Sequence, residues 1–152
     1  MKIENLNKTY NSCLENAKIL EKNIDPELIK SLKNLAEQEI SFINDIIKQT
    51  NKQSNNWTFI FRDYYEALRN LIEAYLLIKG IKSNNHQCKN AYICQKYPEL
   101  ILDWEFLETI RLKRNKINYE GRLITYDDWK QFKLKFNLHI NILKKEIDEF
   151  IQ

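Results

Sequence analysis

The feature that most constrains the fold of this chain is its scarcity of helix-breaking residues. Only two glycines and two prolines occur in 152 residues. Because these two residue types most often end helices and form turns, long stretches of the chain are free to be helical. No internal repeat and no strand-like alternation stands out. With 43% hydrophobic and 30% charged residues, disordered and collagen-like classes are excluded, and an all-α protein is predicted.

The spacing of apolar residues predicts six helices in a single domain over residues 1–152. Apolar side chains recur every three or four positions, as one face of a helix requires. The predicted helices cover about 2–22, 26–48, 57–79, 83–97, 99–119 and 125–150. The fourth is short because Pro98 follows it, and the residue before a proline disfavours the helical conformation. We expect an up-and-down bundle of five long helices plus one short cross-helix.

Several helix ends carry recognisable capping signals. Asp25 followed by Pro26 is a typical helix start, since the aspartate caps free N–H groups and proline needs no hydrogen bond at the first position. Thr125 and Asp128 form an aspartate variant of the capping box at the start of the last helix. Gly121 is placed to end the fifth helix. These positions fix three of the predicted boundaries.

The predicted third helix is apolar over an unusually wide arc. Aromatic and aliphatic residues occur at nearly every turn from Trp57 to Ile78, and Gly80 follows in a position typical of a helix end. So wide an arc indicates either the central helix of a bundle or a helix that also serves a subunit interface. The polar segment 49–56, which precedes this helix, is the one clear linker.

Cysteine usage and the N-terminal sequence predict a cytoplasmic protein. The three cysteines form no CxxC pair, which favours reduced thiols over a disulfide scaffold. The chain starts without an apolar signal region and has no apolar run of membrane-spanning length, so no membrane partner is expected. His86, Cys88 and Cys94 lack a fourth ligand and the usual paired spacing for zinc. No metal and no cofactor are therefore predicted.

The remaining aromatic and histidine residues have ordinary structural interpretations. His86 is expected to cap its short helix, and His139 to be a structural or half-exposed histidine on the last helix. Trp57, Trp104 and Trp129 fit core packing near helix starts better than a platform for stacking bases.

Arg114 lies on what is predicted to be the apolar face of the fifth helix. Leu107 and Ile110 precede it by seven and four residues, and Ile117 follows it by three, which is the spacing of one helical stripe. A guanidinium in this position loses hydration that only an anion, carbonyl groups or a partner chain can replace. Two alternatives follow: an ion pair with a carboxylate, or part of a phosphate-binding site. The candidate carboxylates are those of Asp63, Glu66, Glu108 and Glu120.

A basic cluster surrounds Arg114 near the end of this helix. It consists of Arg111, Lys113, Arg114, Lys116 and Arg122, with Glu120 as its only acid. Cations near a helix C-terminus complement the helix dipole, which is the purely structural explanation. Arginine is scarce elsewhere in the chain, and its concentration here favours an anionic partner such as RNA. Asn115 is either a phosphate contact or an ordinary helix residue.

Two segments resemble the HEPN domain family. Residues 61–81 resemble its aromatic-rich core helix, which ends in a Leu-Leu-x-x-Gly-like turn, and His86 matches the histidine that opens the next short helix. The run Arg114-Asn115-Lys116-Ile117-Asn118-Tyr119 resembles the family signature of arginine, a polar residue, three further residues and histidine. The resemblance covers about residues 57–150 and fits the helix count. It implies a homodimeric, metal-independent endoribonuclease, often a toxin paired with a minimal nucleotidyltransferase antitoxin.

The resemblance also implies a site chemistry, from which this chain departs at one position. In the family the arginine stabilises the phosphorane and the histidine moves protons, both converging on one phosphate at a frayed helix end. Here Tyr119 replaces that histidine, and a tyrosine is a poor general base at neutral pH. The predicted catalytic pair is Arg114 and Tyr119. The predicted residues that bind RNA or nucleotide are Arg111, Arg114, Asn115, Lys116 and Arg122.

A second interpretation requires no nucleic acid. The wide apolar arc of the third helix, together with the missing histidine, is also typical of a non-catalytic helical module for dimerisation or protein interaction.

Overall fold

The computed structural model describes residues 2–152 and has the predicted all-α architecture. It contains six helices and one pair of two-residue strands. In chain order the elements are α1 (Leu6–Glu15), β1 (Leu20–Glu21), α2 (Pro26–Gln49), α3 (Trp57–Ile78), β2 (Ile81–Lys82), α4 (His86–Lys96), α5 (Trp104–Glu120) and α6 (Tyr126–Ile151). Helices α2, α3, α5 and α6 are the long members of the bundle.

Helix α3 is the centre of the bundle, as its wide apolar arc predicts. It packs against α2 and α6 and also contacts α4 and α5. On the α6 side the core is largely aromatic, with the ring of Phe61 between those of Phe132 and Phe136, and the ring of Tyr64 against Trp129. Burial of these large rings supplies much of the hydrophobic stabilisation of the domain.

The predicted caps are confirmed. The carboxylate of Asp25 accepts a hydrogen bond from the backbone N–H of Leu28 at 3.2 Å. Thr125 and Asp128 form a reciprocal capping box at the start of α6. Gly121 ends α5 in the left-handed conformation with φ of 65°, which a residue without Cβ adopts at little cost.

The prediction for the first helix is wrong in length. Helix α1 ends at Glu15 rather than near residue 22, and Ala17 follows with a positive φ of 53°. Beyond this turn, β1 pairs with β2 in antiparallel register, Leu20 opposite Lys82. The bundle therefore has four long helices rather than five. The predicted apolar stripe ran past Glu15 because Leu20 lies at helical spacing from it. Over so few residues this spacing does not distinguish a helix from the strand to which Leu20 belongs.

The fifth helix also begins later than predicted. Residues Pro98–Leu100 form a 3₁₀ turn, and Ile101 then takes a left-handed φ of 57°. The side chain of Asp103 caps the true start of α5 by accepting a hydrogen bond from Phe106 N–H at 3.1 Å. A proline followed by a short turn gives the same sequence signal as a proline at the first helical position.

The prediction of three reduced thiols is wrong for two of them. Cys13 of α1 and Cys88 of α4 form a disulfide between residues 75 positions apart. The third, Cys94, is a buried free thiol whose pKa burial raises to about 12. The cross-link ties α1 to α4 and compensates for the small core contribution of α1, in which only Thr9 and Cys13 are buried.

The structural roles predicted for the tryptophans and for His139 are confirmed. Trp57, Trp104 and Trp129 are all buried near helix starts. His139 is buried rather than half-exposed; its Nε2 accepts from the backbone N–H of Asp103 at 2.9 Å, and its Nδ1 bonds the carbonyl of Lys135 at 2.7 Å. Within residues 2–152, no helix is long and apolar enough to cross a membrane.

Candidate functional site

Arg114 is paired with a carboxylate on the central helix. Its Nε and Nη2 both donate to Glu66 Oε1, at 3.2 and 3.1 Å, and its Nη1 donates to Asn115 Oδ1 at 3.2 Å. The guanidinium also lies 5.1 Å from the centre of the Tyr65 ring. Of the four carboxylates considered from the sequence, Glu66 is the partner. Its side chain is 28% exposed, so this ion pair lies at the edge of the core.

The carboxylate of Glu66 extends this ion pair into a chain of hydrogen bonds. Its Oε2 lies 2.9 Å from Arg69 Nη2, and Arg69 Nη1 lies 2.9 Å from His86 Nε2. We call the set Arg114, Glu66, Arg69 and His86 the arginine–histidine network. It joins α5, α3 and α4.

The expected role of His86 as a helix cap is wrong. Asn85 caps α4, because its side-chain oxygen accepts from the backbone N–H of Cys88 at 2.9 Å. His86 is the first helical residue, and its ring turns to Arg69 instead. A cap could not be told from a neighbouring residue by sequence alone, since Asn85 and His86 are adjacent polar residues.

The network fixes the protonation of His86. A guanidinium only donates, so Nε2 accepts from Arg69 and the proton of a neutral ring lies on Nδ1. Burial, followed by the charges of Arg69, Lys89 and Arg114, lowers the pKa of His86 to about 4. The carboxylate of Glu66 opposes this shift by raising the pKa. At neutral pH the ring is therefore uncharged in a positive environment.

A second set of charges continues the positive region along α3. Glu73 accepts from Lys82 of β2 and lies 3.5 Å from the ammonium of Lys89 of α4. Lys89 is only 5% exposed, and 3.5 Å is long for a charge-assisted hydrogen bond, which is typically about 2.7–2.9 Å. We call Lys82, Lys89 and Glu73 the lysine–glutamate cluster. Burial lowers the pKa of Lys89.

Arg69 and His86 of the network and Lys89 of the lysine–glutamate cluster line a small cavity between α3, α4 and α5. Its volume is about 10 Å³, close to the smallest space that holds one water molecule. Its polar lining comes from Tyr65, Arg69, His86, Lys89 and Asn90, and aliphatic side chains close the remainder. Two buried nitrogens of these residues, Arg69 Nε and His86 Nδ1, have no hydrogen-bond partner in the part of the chain that the structure describes.

Arg111, predicted as a site residue, belongs to a separate and fully paired structure. Glu108 is 1% exposed, and its two oxygens accept from Arg111 Nη2 and Nε at 2.8 and 3.0 Å. Gln87 and Asn90 donate to the same carboxylate at 3.1 and 2.9 Å. This arrangement satisfies a buried charge and links α4 to α5.

Except for Asn115, the other predicted site residues do not converge on Arg114. Tyr119 is 82% exposed and lies five positions later on a helix that is regular to Glu120. Five helical residues correspond to about 140° around the axis, so the two side chains point to different sides, and the expected frayed helix end is absent from this part of the chain. Lys116 is half-buried and Arg122 is exposed beyond the helix. Asn115 touches Arg114 directly.

Glu66, Arg69 and Lys89 were not among the predicted site residues. A signal was present in α3, where the charged residues Glu66, Arg69 and Glu73 follow each other at spacings of three and four on a mostly apolar helix. This is a polar stripe on a central helix, which needs partners from other elements.

The zinc alternative meets a direct obstacle, because the sulfur of Cys88 is bonded to Cys13. Within residues 2–152 no group of three or more metal-ligating side chains lies close together. Comparison of the chain with protein-family models, with curated proteins and with solved structures gives no significant match.

Proposed function

We propose that this chain is a HEPN-like protein that binds RNA or a nucleotide through Arg114 and the network around it. The observation that supports the proposal is the surplus of cations over carboxylates. Arg69, Lys82, Lys89 and Arg114 share only two ion-pairing carboxylates, those of Glu66 and Glu73. Such a surplus at the meeting point of three helices costs stability unless an anion offsets it, and a phosphate group is the anion that arginine recognises best.

In this proposal Glu66 holds Arg114 in place until a phosphate replaces it. The two hydrogen bonds that Arg114 donates to Glu66 go to the same carboxylate oxygen. The pair is therefore not the bidentate fork that makes an arginine–carboxylate pair strongest. Asn115 and Lys116 extend the binding surface along α5. Arg122 and Tyr119 serve the same ligand from the exposed end of that helix.

Catalysis in this proposal is metal-independent RNA cleavage, with Arg114 stabilising the charge that develops on the phosphate. Tyr119 belongs to the proposed machinery by resemblance, on the far side of α5. His86 is the histidine that shares a hydrogen-bond network with Arg114, and its neutral ring can accept a proton once Arg69 releases Nε2.

The proposal includes a homodimer and a minimal nucleotidyltransferase antitoxin as partner, in the cytoplasm. The exposed position of Tyr119 is compatible with a role across a dimer cleft. The Cys13–Cys88 disulfide is of a kind that persists mainly in oxidising compartments. Trapping of free thiols in intact cells therefore tests the location: Cys13 and Cys88 found reduced in cells support the cytoplasm, and a disulfide found in cells contradicts it.

RNA binding and cleavage test the proposal directly. Binding of a labelled single-stranded RNA is followed by fluorescence anisotropy for the native chain, for Arg114→Gln and for the control Arg62→Gln, whose guanidinium lies over the Phe59 ring on the same central helix. Loss of a charge-assisted phosphate contact predicts affinity weaker by about tenfold in Arg114→Gln and little change in the control. Absence of binding by the native chain contradicts the proposal.

Cleavage is measured on the same RNA with a chelator present, comparing the native chain with Arg114→Ala. Cleavage by the native chain that is lost in the variant supports the enzymatic form of the proposal. Absence of cleavage in both, with metal excluded, rejects that form and leaves binding alone.

A second candidate function, a non-catalytic interaction module, is favoured by an exposed apolar groove between α2 and α3. Phe42 is 63% exposed and Phe59 is 50% exposed. Both line a groove of about 260 Å³ together with Ile46 and Asp63. Contiguous exposed apolar surface of this kind marks interaction sites. Sedimentation analysis of the native chain and of Phe42→Ser tests it, and a strictly monomeric native chain that takes up no partner argues against this function.

A further inference from the structure

Two residues that line the cavity between α3, α4 and α5 each carry a hydrogen-bond donor that lacks an acceptor. These donors are Arg69 Nε and His86 Nδ1, both buried and without a partner within residues 2–152. Since Nε2 of His86 faces the Arg69 guanidinium at 2.9 Å, Nδ1 carries the proton of the neutral ring. A buried donor without an acceptor costs about 1–3 kcal/mol. Two such donors beside one cavity indicate that a group which only accepts hydrogen bonds belongs there.

The charge around the cavity has the sign that such a group needs. Lys89 lies on the cavity wall with a single long contact to Glu73, and Arg69 shares Glu66 with Arg114. The next acids along the surface are Glu39 of α2 and Asp63 of α3. Burial raises the pKa of both, and neither forms an ion pair within residues 2–152. The cations at the cavity are thus compensated only in part.

We infer that this cavity is a binding site for a terminal phosphate group, with one phosphate oxygen accepting from Arg69 Nε and His86 Nδ1. The space of about 10 Å³ fits a single oxygen atom but not a whole phosphate. The rest of the group therefore lies at the mouth, where Lys89 supplies charge. A terminal phosphate carries a charge of about −1.5 to −2 near neutral pH. Four cations that share two carboxylates leave a surplus of two positive charges. A terminal phosphate offsets this surplus, whereas a carboxylate ligand offsets only half of it.

This inference deepens the proposed function and rests on it for the source of the phosphate. A terminal phosphate can come from the end of an RNA, from a nucleotide or from free inorganic phosphate, and all three present the same oxygen chemistry. The site differs from the predicted one, because its donors come from α3 and α4 rather than from the end of α5.

The test is a titration of the native chain observed through the ring protons of His86 by NMR. The titrants, at constant ionic strength, are inorganic phosphate, a short RNA with a terminal phosphate and the same RNA without it. We expect a saturable shift of the His86 signals with both phosphorylated titrants, and a rise in the pKa of His86 because bound anion favours the imidazolium. Tighter binding of the phosphorylated RNA than of inorganic phosphate assigns the group to RNA, and equal affinity assigns it to free phosphate.

The matched variants are Arg69→Gln and Arg62→Gln, two arginine substitutions on the same helix. Arg69→Gln removes a donor and a charge, and affinity for phosphate is expected to fall by about tenfold or more. Arg62→Gln is expected to bind as the native chain does. If Arg69→Gln fails to fold, as its backbone amide spectrum would reveal, Lys89→Met replaces it with the same expected loss.

Three outcomes overturn the inference. They are a native chain whose His86 signals do not respond to phosphate, a response that is unchanged in Arg69→Gln and Lys89→Met, and RNA binding that needs Arg114 but does not depend on the terminal phosphate. The last result contradicts the inference and leaves the proposed function intact. Conversely, a specific response to inorganic phosphate without any RNA binding supports the phosphate site and contradicts the proposed function.

Discussion

The two sides of helix α3 pack against their neighbours through different kinds of residue. The side that faces α6 is aromatic: Phe61 and Tyr64 pack on Phe132, Phe136 and Trp129. The side that faces α4 and α5 carries Glu66, Arg69 and Glu73, each in an ion pair. The aromatic side is complete in itself, whereas the charged side leaves donors unpartnered and cations in surplus. The first side serves stability, and we propose that the second serves a ligand.

The largest expected effect is on the aromatic side. Phe136 is fully buried and its ring contacts those of Phe61, Tyr64 and Phe106. Phe136→Ala removes a large ring and leaves a cavity, which typically costs about 3–5 kcal/mol in the free energy of unfolding. Urea unfolding followed by circular dichroism measures this. Leu134→Ala, at a position 70% exposed on the same helix, is the control, and an equal loss there contradicts the assignment of the core.

The next effect concerns the attachment of α4, which carries His86 and Lys89 and packs against the charged side. The Cys13–Cys88 disulfide closes a loop with a sequence separation of 75, for which loop entropy gives a stabilisation of about 4 kcal/mol. Reduction by a dithiol should lower the free energy of unfolding by this order. Cys94→Ser retains the cross-link and should respond to the reductant as the native chain does. A native chain whose urea midpoint ignores the reductant contradicts the disulfide.

An intermediate effect is expected at Glu108 of α5, whose two oxygens accept hydrogen bonds from Arg111, Gln87 and Asn90. Glu108→Gln keeps the size of the side chain but leaves Arg111, which is 16% exposed, without its counter-charge. Loss of one partner of a largely buried pair predicts a cost of about 2–3 kcal/mol. Glu120→Gln, at an exposed position on the same helix, should change stability by less than about 0.5 kcal/mol. Equal values for the two variants would remove the distinction between a structural pair and a surface charge.

The smallest effect is a pH dependence that separates the two sides. His86 has a pKa of about 4 in the folded chain, below the unperturbed value of about 6.5. The unfolded chain binds the proton first, so stability is fully present above pH 6.5 and falls as the pH drops from 6.5 towards 4. Because the ring is only half-buried, we expect a loss on the order of 1–2 kcal/mol. Urea unfolding at pH 7 and pH 4.5 should show a smaller loss for His86→Gln than for the native chain.

His139 provides the internal control for this comparison. Burial lowers its pKa as well, and its contribution to the pH dependence remains in His86→Gln. Identical pH dependences for the native chain and the variant would place the effect on other groups, such as His139, Glu73 and Asp103, and contradict the assigned state of His86.

The sequence could predict the aromatic side and could not predict the charged side, for a physical reason. Apolar periodicity and caps such as Asp25 and Thr125 depend on residues close together in the chain, and they give α2, α3 and α6 almost to their ends. The partners of Arg114 and His86 depend on which helices meet in space. Spacing alone therefore left four carboxylates open for Arg114, and it could not reveal that Arg69 joins Glu66 to His86.

The same distinction explains the remaining errors. The pairing of Cys13 with Cys88 and of β1 with β2 joins segments far apart in sequence, which an odd number of cysteines and a short apolar run do not reveal. In the proposed resemblance to HEPN domains Tyr119 stands where that family has a histidine, yet helical geometry turns it away from Arg114. Its proposed role therefore requires a binding surface separate from the one around Arg114.

The most direct test of the central claim, that cations outnumber carboxylates around His86, is the pKa of His86 in buffer without phosphate. NMR titration of the native chain is predicted to give a value of about 4, and a higher value in Lys89→Met, because that variant removes one of the charges that lower it. A native value at or above the ordinary 6.5, or a value unaffected by Lys89→Met, would contradict the claim.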